Sequence, residues 1–315
     1  MKKIRLPLFI FLGLLIALFI VGSFLDLQIN EALFSKNNPV GVFASAVGTL
    51  PGYGLLAFLG GVFFWCGFHG HSFNIPARVI FYVIAIAAFV CGVFFSGREF
   101  FSQNGYYELN SIFAVGFIIA LPFMSFFGFA GYYMSNKLDN DNIWLFAAVI
   151  AVAVFMSLVP GVTLLKSIFH RPRYRLICEY EQIGYYNWWE RCSSYKDWIK
   201  IGEQTGNLDL SKENFKSFPS GHAGATMVFV FFAAFIPAFG KKYDKWQLPL
   251  MIIGFAYCLL ICFTRMLVGA HYLSDVSMGA ILTCFFIIIA NEVFIRNKRL
   301  SALMNHEEER IEEAE

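Results

Sequence analysis

Eight stretches of this chain run for about twenty residues each with almost no charge, the length a helix needs to cross the hydrocarbon core of a bilayer. They fall at Pro7 to Leu25, Gly52 to Phe68, Ala77 to Ser96, Ser111 to Met134, Ile143 to Leu165, His222 to Phe239, Gln247 to Val268 and Ser274 to Ile295. In lipid, a run of this kind must satisfy its own backbone hydrogen bonds, and the α-helix does so within one segment. The pattern predicts an all-α, polytopic transmembrane helix bundle of about eight spans. Composition agrees: 15% of the residues are charged and 38 are phenylalanine, whereas a soluble domain is about a quarter charged.

The first run follows "MKKIR", as in a secretory leader, but it is long and no small-residue cleavage pattern follows closely, so an uncleaved anchor is expected. Excess Lys and Arg marks cytoplasmic loops. Placing Lys2, Lys3, Arg5, Arg78, Lys137, Lys241, Lys242, Lys245, Arg296, Lys298 and Arg299 inside puts both termini in the cytoplasm. The long 166–221 loop then faces outward, together with the start of the last span near His271. A net charge of +2, with no basic stripe carrying interleaved aromatics, argues against nucleic acid as a partner.

The expected organisation is three regions: residues 1–140, spans of unassigned role; 141–300, a core containing the outer loop; and 301–315, an acidic cytoplasmic tail. Between the first two spans, Asn37, Asn38 and Pro39 precede a short apolar piece that suits a half-buried helix. The outer loop is dense in Tyr and Trp, residues that favour the headgroup layer, either as an aromatic belt or as a lid over a site. It also holds Cys178 and Cys192, a candidate outer disulfide. The other cysteines lie in apolar runs as small hydrophobes, and no zinc-ligand spacing is present.

Three polar clusters stand where a membrane protein holds ionisable groups at a cost, so each is a site candidate. The first is "LLKSIFHRPRYRL", with Lys166, His170, Arg171, Arg173 and Arg175. The second is "PSGH", with Ser220, Gly221 and His222, and the third is "TRMLVGAHYLSD", with Thr264, Arg265, His271 and Asp275. Alone, each has a plain structural reading: snorkelling cations, a serine N-cap, and a His/Asp pair four apart on one helix face. The expected topology puts all three on the same side of the membrane. Two histidines, a carboxylate and several fixed cations supply a nucleophile, an orienting group, a proton donor and an anion cradle. A phosphate ester suits that set, because its oxygens accept from Arg, Lys and the free N–H groups of a helix start.

In this order and spacing (Lys166, six residues, Arg173; Pro219-Ser220-Gly221-His222; Arg265, five residues, His271, three residues, Asp275) the motifs resemble the three signatures of the type 2 phosphatidic acid phosphatase superfamily, which includes the vanadium haloperoxidases. The resemblance covers about Ile143 to Ile295. It implies that His271 is the nucleophile, forming a phosphohistidine, that Asp275 orients it, and that His222 protonates the leaving oxygen. Lys166, Arg173, Arg265, Ser220 and the backbone around Gly221 are implied as the phosphate cradle, with no metal or other cofactor. Two departures stand out. The first signature ordinarily ends Arg-Pro, but Tyr174 follows Arg173 and the Arg-Pro pair is Arg171-Pro172, so Arg171 is a further phosphate-binding candidate. Thr264 stands where the third signature has Ser.

The family core commonly has six helices, so the count of eight implies two additional spans. The expected activity is hydrolysis of a lipid phosphate or diphosphate drawn from the outer leaflet: phosphatidic acid, phosphatidylglycerol phosphate or polyprenyl diphosphate. A lipid-linked phosphotransferase would use the same intermediate, and a non-catalytic lipid-phosphate carrier would use the cations alone.

Overall fold

The computed structural model describes residues 2–70, 72–100, 113–207 and 210–305. The acidic run from His306 and the first residues of the fourth apolar window, Ser111 and Ile112, lie outside them. Among the described residues the fold is entirely helical, and eight helical segments are long and apolar enough to cross a membrane.

The first helix, α1 (Lys2–Leu33), runs on past its apolar window and carries Asp26 and Asn30. After it, Asn38 caps α2 (Pro39–Val47), its side-chain oxygen accepting from the N–H groups of Val40 and Gly41. Three long helices follow: α3 (Leu50–His69), α4 (Ile75–Glu99) and α5 (Phe113–Leu138), packed as one group through α3. The fifth span begins as α6 (Ile143–Met156), widens into a π-helical stretch at 157–164 around Pro160, which cannot donate an N–H to the ladder, and ends as α7 (Leu165–Phe169). His170, in the left-handed conformation (φ 49°), stops it just after Lys166.

The long loop folds into α8 (Tyr174–Glu179) and α9 (Tyr195–Thr205) around a small apolar core of Leu176, Ile183, Cys192, Leu210 and Phe215. It lies down on the bundle. Trp188 donates to Ser23 of α1 (2.9 Å) and stacks on Phe218. Cys178 and Cys192, allowed as a pair by their common loop, are both free thiols; Cys192 is buried in the loop core and Cys178 is exposed.

The three remaining spans are α10 (Gly221–Phe235), α11 (Asp244–Leu267) and α12 (Leu273–Arg296), followed by the short α13 (Lys298–Asn305). At the centre, α10 packs on α3, α11 and α12, and twelve of its fifteen residues are buried. By contrast, α1, α4 and α5 show large apolar side chains outward, with Phe24 76%, Ile75 77% and Phe126 67% exposed. A surface so apolar is stable against lipid and not against water.

Two close approaches fix the site end of this bundle. A Cβ on Gly22 would lie 2.5 Å from the Ser274 nitrogen, and one on Gly279 would lie 2.2 Å from the Ser220 carbonyl oxygen. Only glycine lets α1 touch the start of α12, and α12 touch the start of α10. The α1 and α12 helices run antiparallel: Arg5 pairs with Glu292 at one end, and Asp26 meets Ser274 at the other.

Candidate active site

Backbone hydrogen bonds stitch the three sequence clusters together. The Arg173 N–H donates to Asn214 O (3.0 Å), Ser217 N–H to Arg171 O (3.0 Å), Arg175 N–H to Gly269 O (2.9 Å), and Ser220 N–H to Asp275 O (2.8 Å). The first cluster is thereby held against the loop before "PSGH" and against the turn before His271. Gly269 makes that turn in the left-handed conformation (φ 61°) that ends α11. The site so formed lies at the end of the bundle opposite Arg5 and Glu292.

His271 is 2% exposed, and its Nδ1 lies 2.8 Å from the Ser217 carbonyl oxygen. A carbonyl only accepts, so Nδ1 carries the hydrogen and, in the neutral ring, Nε2 carries the lone pair. Burial pushes the His271 pKa well below its ordinary value. Lys166, Arg173 and Arg265 press in the same direction, and Asp275 opposes. Asp275 Oδ2 stands 3.8 Å from Nδ1, while the same carboxylate accepts from Ser217 Oγ, from the Tyr272 N–H (2.9 Å) and from Arg171 (2.7 Å). Thus Asp275 acts on the ring through space and through Ser217, and the direct partner of Nδ1 is a backbone carbonyl.

Arg171 is fully buried. Its Nε donates to Tyr186 O, Nη1 to Ser274 and Asp275, and Nη2 to Asp26 and Tyr185, with the guanidinium 3.9 Å from the centre of the Tyr272 ring. A guanidinium has five N–H groups, and all five have protein acceptors. Arg173, two positions on, is only half-buried, and its Nε has no hydrogen-bond partner among the described residues. Of the two arginines left open by the displaced Arg-Pro pair, Arg173 has donors to offer an anion.

Around Arg173 stand the other cations. Lys166 Nζ donates to Lys216 O (2.7 Å), and its Cε lies 3.9 Å from where a Cβ on Gly221 would be. Arg265, 1% exposed, donates through Nη1 to Ser45 of α2. Ser220 caps α10, its Oγ accepting from the Ala223 N–H (3.4 Å). The first N–H groups of the helix, at Gly221 and His222, belong to the set that has no intrahelical partner. Next to them, His222 Nε2 lies 3.0 Å from Ser45 O and 3.4 Å from the Glu99 carboxylate. Two acceptors face that nitrogen, so it carries a hydrogen.

The sequence motifs did not include several residues that complete this arrangement. Asp26 and Asn30 come from α1; Asn30 donates to His271 O (3.1 Å), and Asp26 accepts from the Ser274 N–H (2.9 Å). Ser45 comes from α2 and Glu99 from the end of α4. Asp26 and Glu99 lie just past an apolar window, Asn30 a turn further on and Ser45 inside the short apolar piece after Pro39, and none of these places says which cluster the residue meets. Arg175 donates to Asn214 (3.1 Å), and His170 stacks on Tyr195 at 3.7 Å, so both act in holding the loop.

A family model of the PAP2 superfamily matches residues 142–299, half of the chain. A lipid A 1-phosphatase of Rhizobium johnstonii is 40% identical over 83 residues, which cover 26% of this chain and 30% of that protein. The lipid A 1-phosphatase of Rhizobium etli is 39% identical over 83 residues, covering 26% and 31%. The match therefore spans less than a third of either relative. No solved structure matches. With the family match enclosing the Lys/Arg, Ser-Gly-His and Arg/His/Asp clusters that the fold brings to one end of the bundle, the chain belongs to the PAP2 superfamily.

Proposed function

We propose that this protein is an integral-membrane phosphatase that removes the phosphate of a lipid phosphate or diphosphate through a phosphohistidine on His271. The observation that carries this reading is the Nδ1 hydrogen bond to Ser217, which leaves Nε2 of a buried, neutral imidazole as the nucleophile among three cations and a helix start. The Nε2 lone pair attacks phosphorus and the bond from phosphorus to the ester oxygen breaks. His222 enters the step doubly protonated and gives one proton to the leaving oxygen, becoming neutral. Water then attacks the phosphohistidine, giving its proton to His222; the P–N bond breaks, its electrons return to His271, and inorganic phosphate departs. Lys166, Arg173, Arg265 and the α10 N–H groups balance charge on the phosphoryl oxygens, the main demand of this reaction class. Ser220 shapes that helix start, and Asp275, fixed by Arg171, supports the charge that His271 acquires.

The excess of Lys and Arg at the Arg5 end supports a reading in which that end is cytoplasmic and a lipid of the outer leaflet reaches the site between helices. Purified protein in detergent is expected to release inorganic phosphate from at least one of phosphatidic acid, phosphatidylglycerol phosphate, polyprenyl diphosphate and lipid A 1-phosphate, the last included because of the relatives' names. Soluble sugar phosphates are expected to be poor substrates. Labelled phosphate recovered in a second lipid instead of in solution identifies a transferase, and binding without turnover identifies a carrier.

A lowered His271 pKa has a definite sign. The neutral ring is the nucleophile, so kcat/KM, which reports the free enzyme, falls only as pH drops through that lowered value. The acid limb of the profile is expected below the ordinary histidine range near 6.5; a limb at or above it counts against a buried neutral nucleophile. Gly279→Ala is expected to cut turnover at least tenfold in protein that still folds. The added Cβ meets the Ser220 backbone, which cannot rotate aside, and so displaces the start of α10. Turnover at the wild-type rate in that variant removes the requirement for this contact.

A further inference from the structure

We propose that Asp26, on the first helix and outside the region matched to the family, is a positioning residue that takes up the charge of Arg171 and so leaves the charge of Asp275 to His271. This rests on the reading of His271 as the nucleophile.

Arg171 lies between two carboxylates, 2.9 Å from Asp26 and 2.7 Å from Asp275, and neither acid is more than 1% exposed. Opposed to Asp275 alone, the guanidinium would cancel it, and the pair would present His271 with no net charge. Two carboxylates around one guanidinium leave a net single negative charge beside the ring. His271 needs that charge: Lys166, Arg173, Arg265 and His222 all face it with positive or protonatable groups, and Asp275 is the acid that opposes them. During attack on phosphorus the ring becomes cationic, and in a buried site an unbalanced charge is costly.

Geometry ties the two acids to the same piece of backbone. Asp26 accepts from the Ser274 N–H (2.9 Å) and also from the Ser274 hydroxyl, while Asn30, one turn along α1, holds His271 O (3.1 Å). The first helix therefore grips both sides of the 271–275 turn. A purely mechanical tether would account for those bonds but not for the second carboxylate on Arg171. Charge and tether can be separated by experiment.

Asp26→Asn keeps an oxygen that can accept from the Ser274 N–H and removes the charge. In purified, monodisperse protein, kcat for phosphate release is expected to fall about tenfold or more with KM within about twofold, and the acid limb of kcat/KM is expected to move to lower pH. The double variant Asp26→Asn/Arg171→Gln removes one charge of each sign and restores the net negative charge at Asp275, so its kcat is expected to exceed that of Asp26→Asn. Should the single variant not fold, the double variant is the test, with kcat expected within about tenfold of wild type. Wild-type kcat and an unmoved acid limb in Asp26→Asn overturn the proposal. So does a double variant that is folded and less active than the single, or that does not fold. Wild-type turnover and its loss in His271→Ala are established first. An inactive wild type counts against the phosphatase reading, whereas an unaltered Asp26→Asn counts against this inference.

Discussion

Replacing His271 with alanine is expected to lower phosphate release by about four orders of magnitude or more, the scale seen when a covalent nucleophile is deleted, while leaving binding of the lipid phosphate within a few-fold of wild type. On the proposed mechanism the two effects separate, because His271 is not among the groups assigned to hold the phosphate. Arg173 is held by its N–H bond to Asn214 O, the start of α10 by the Ser220 N–H bond to Asp275 O, Lys166 by its Nζ bond to Lys216 O and Arg265 by its Nη1 bond to Ser45, and none of these bonds is made by the imidazole. Alkaline-detergent quench experiments with labelled substrate supply the sharper measurement. Wild-type protein is expected to retain acid-labile, base-stable label on the chain during turnover, and His271→Ala none. Label trapped equally on both proteins moves the nucleophile elsewhere, and turnover by His271→Ala at more than a hundredth of the wild-type rate removes the covalent step through this residue.

The bundle itself was legible because lipid imposes a simple rule, an apolar run long enough to cross, and the rule does not depend on what each helix packs against. All eight windows appear as helices among the described residues. What the rule misses is where helices continue beyond lipid-facing residues. Hydropathy ends the first window at Leu25, yet α1 continues to Leu33, since Asp26 and Asn30 are buried against α12 and the turn before it, where each finds a partner. The grouping of the candidate residues was legible to the extent that they stand at fixed spacing along one segment: His271 and Asp275, or Ser220 and His222. Partners contributed from far away in the chain leave no such trace. Ser45 meets Arg265 and His222, Glu99 meets His222, and Asp26 meets Arg171 only after the chain has folded. Nor does spacing tell what a side chain has left to give. Arg171 and Arg173 both suit a phosphate on paper, and the difference between them lies in the acceptors already placed around the first.

That difference gives the second large effect. Arg171→Leu is expected to destabilise the fold by about 3 to 5 kcal/mol, the cost of removing one partner from a buried ion pair and stranding the other. Here the removal strands two carboxylates, Asp26 and Asp275, which are almost fully buried and pair with no other lysine or arginine among the described residues. Leucine also leaves the Tyr186 carbonyl and the Ser274 hydroxyl without the donors they now have. Arg173→Leu removes the same charge from the same signature with the opposite outcome. Its side chain is half-buried, and its Nε donates to none of the described residues. Its removal relieves repulsion among Arg175, Arg265 and Lys166, so stability is expected to hold while phosphate binding and turnover fall at least tenfold. Thermal unfolding in detergent, with turnover of the surviving folded protein, separates the two roles proposed: one arginine holding the acids beside the histidine, and the other facing the substrate. Equal loss of unfolding temperature in both variants contradicts that division, as does an Arg171→Leu protein as stable as wild type.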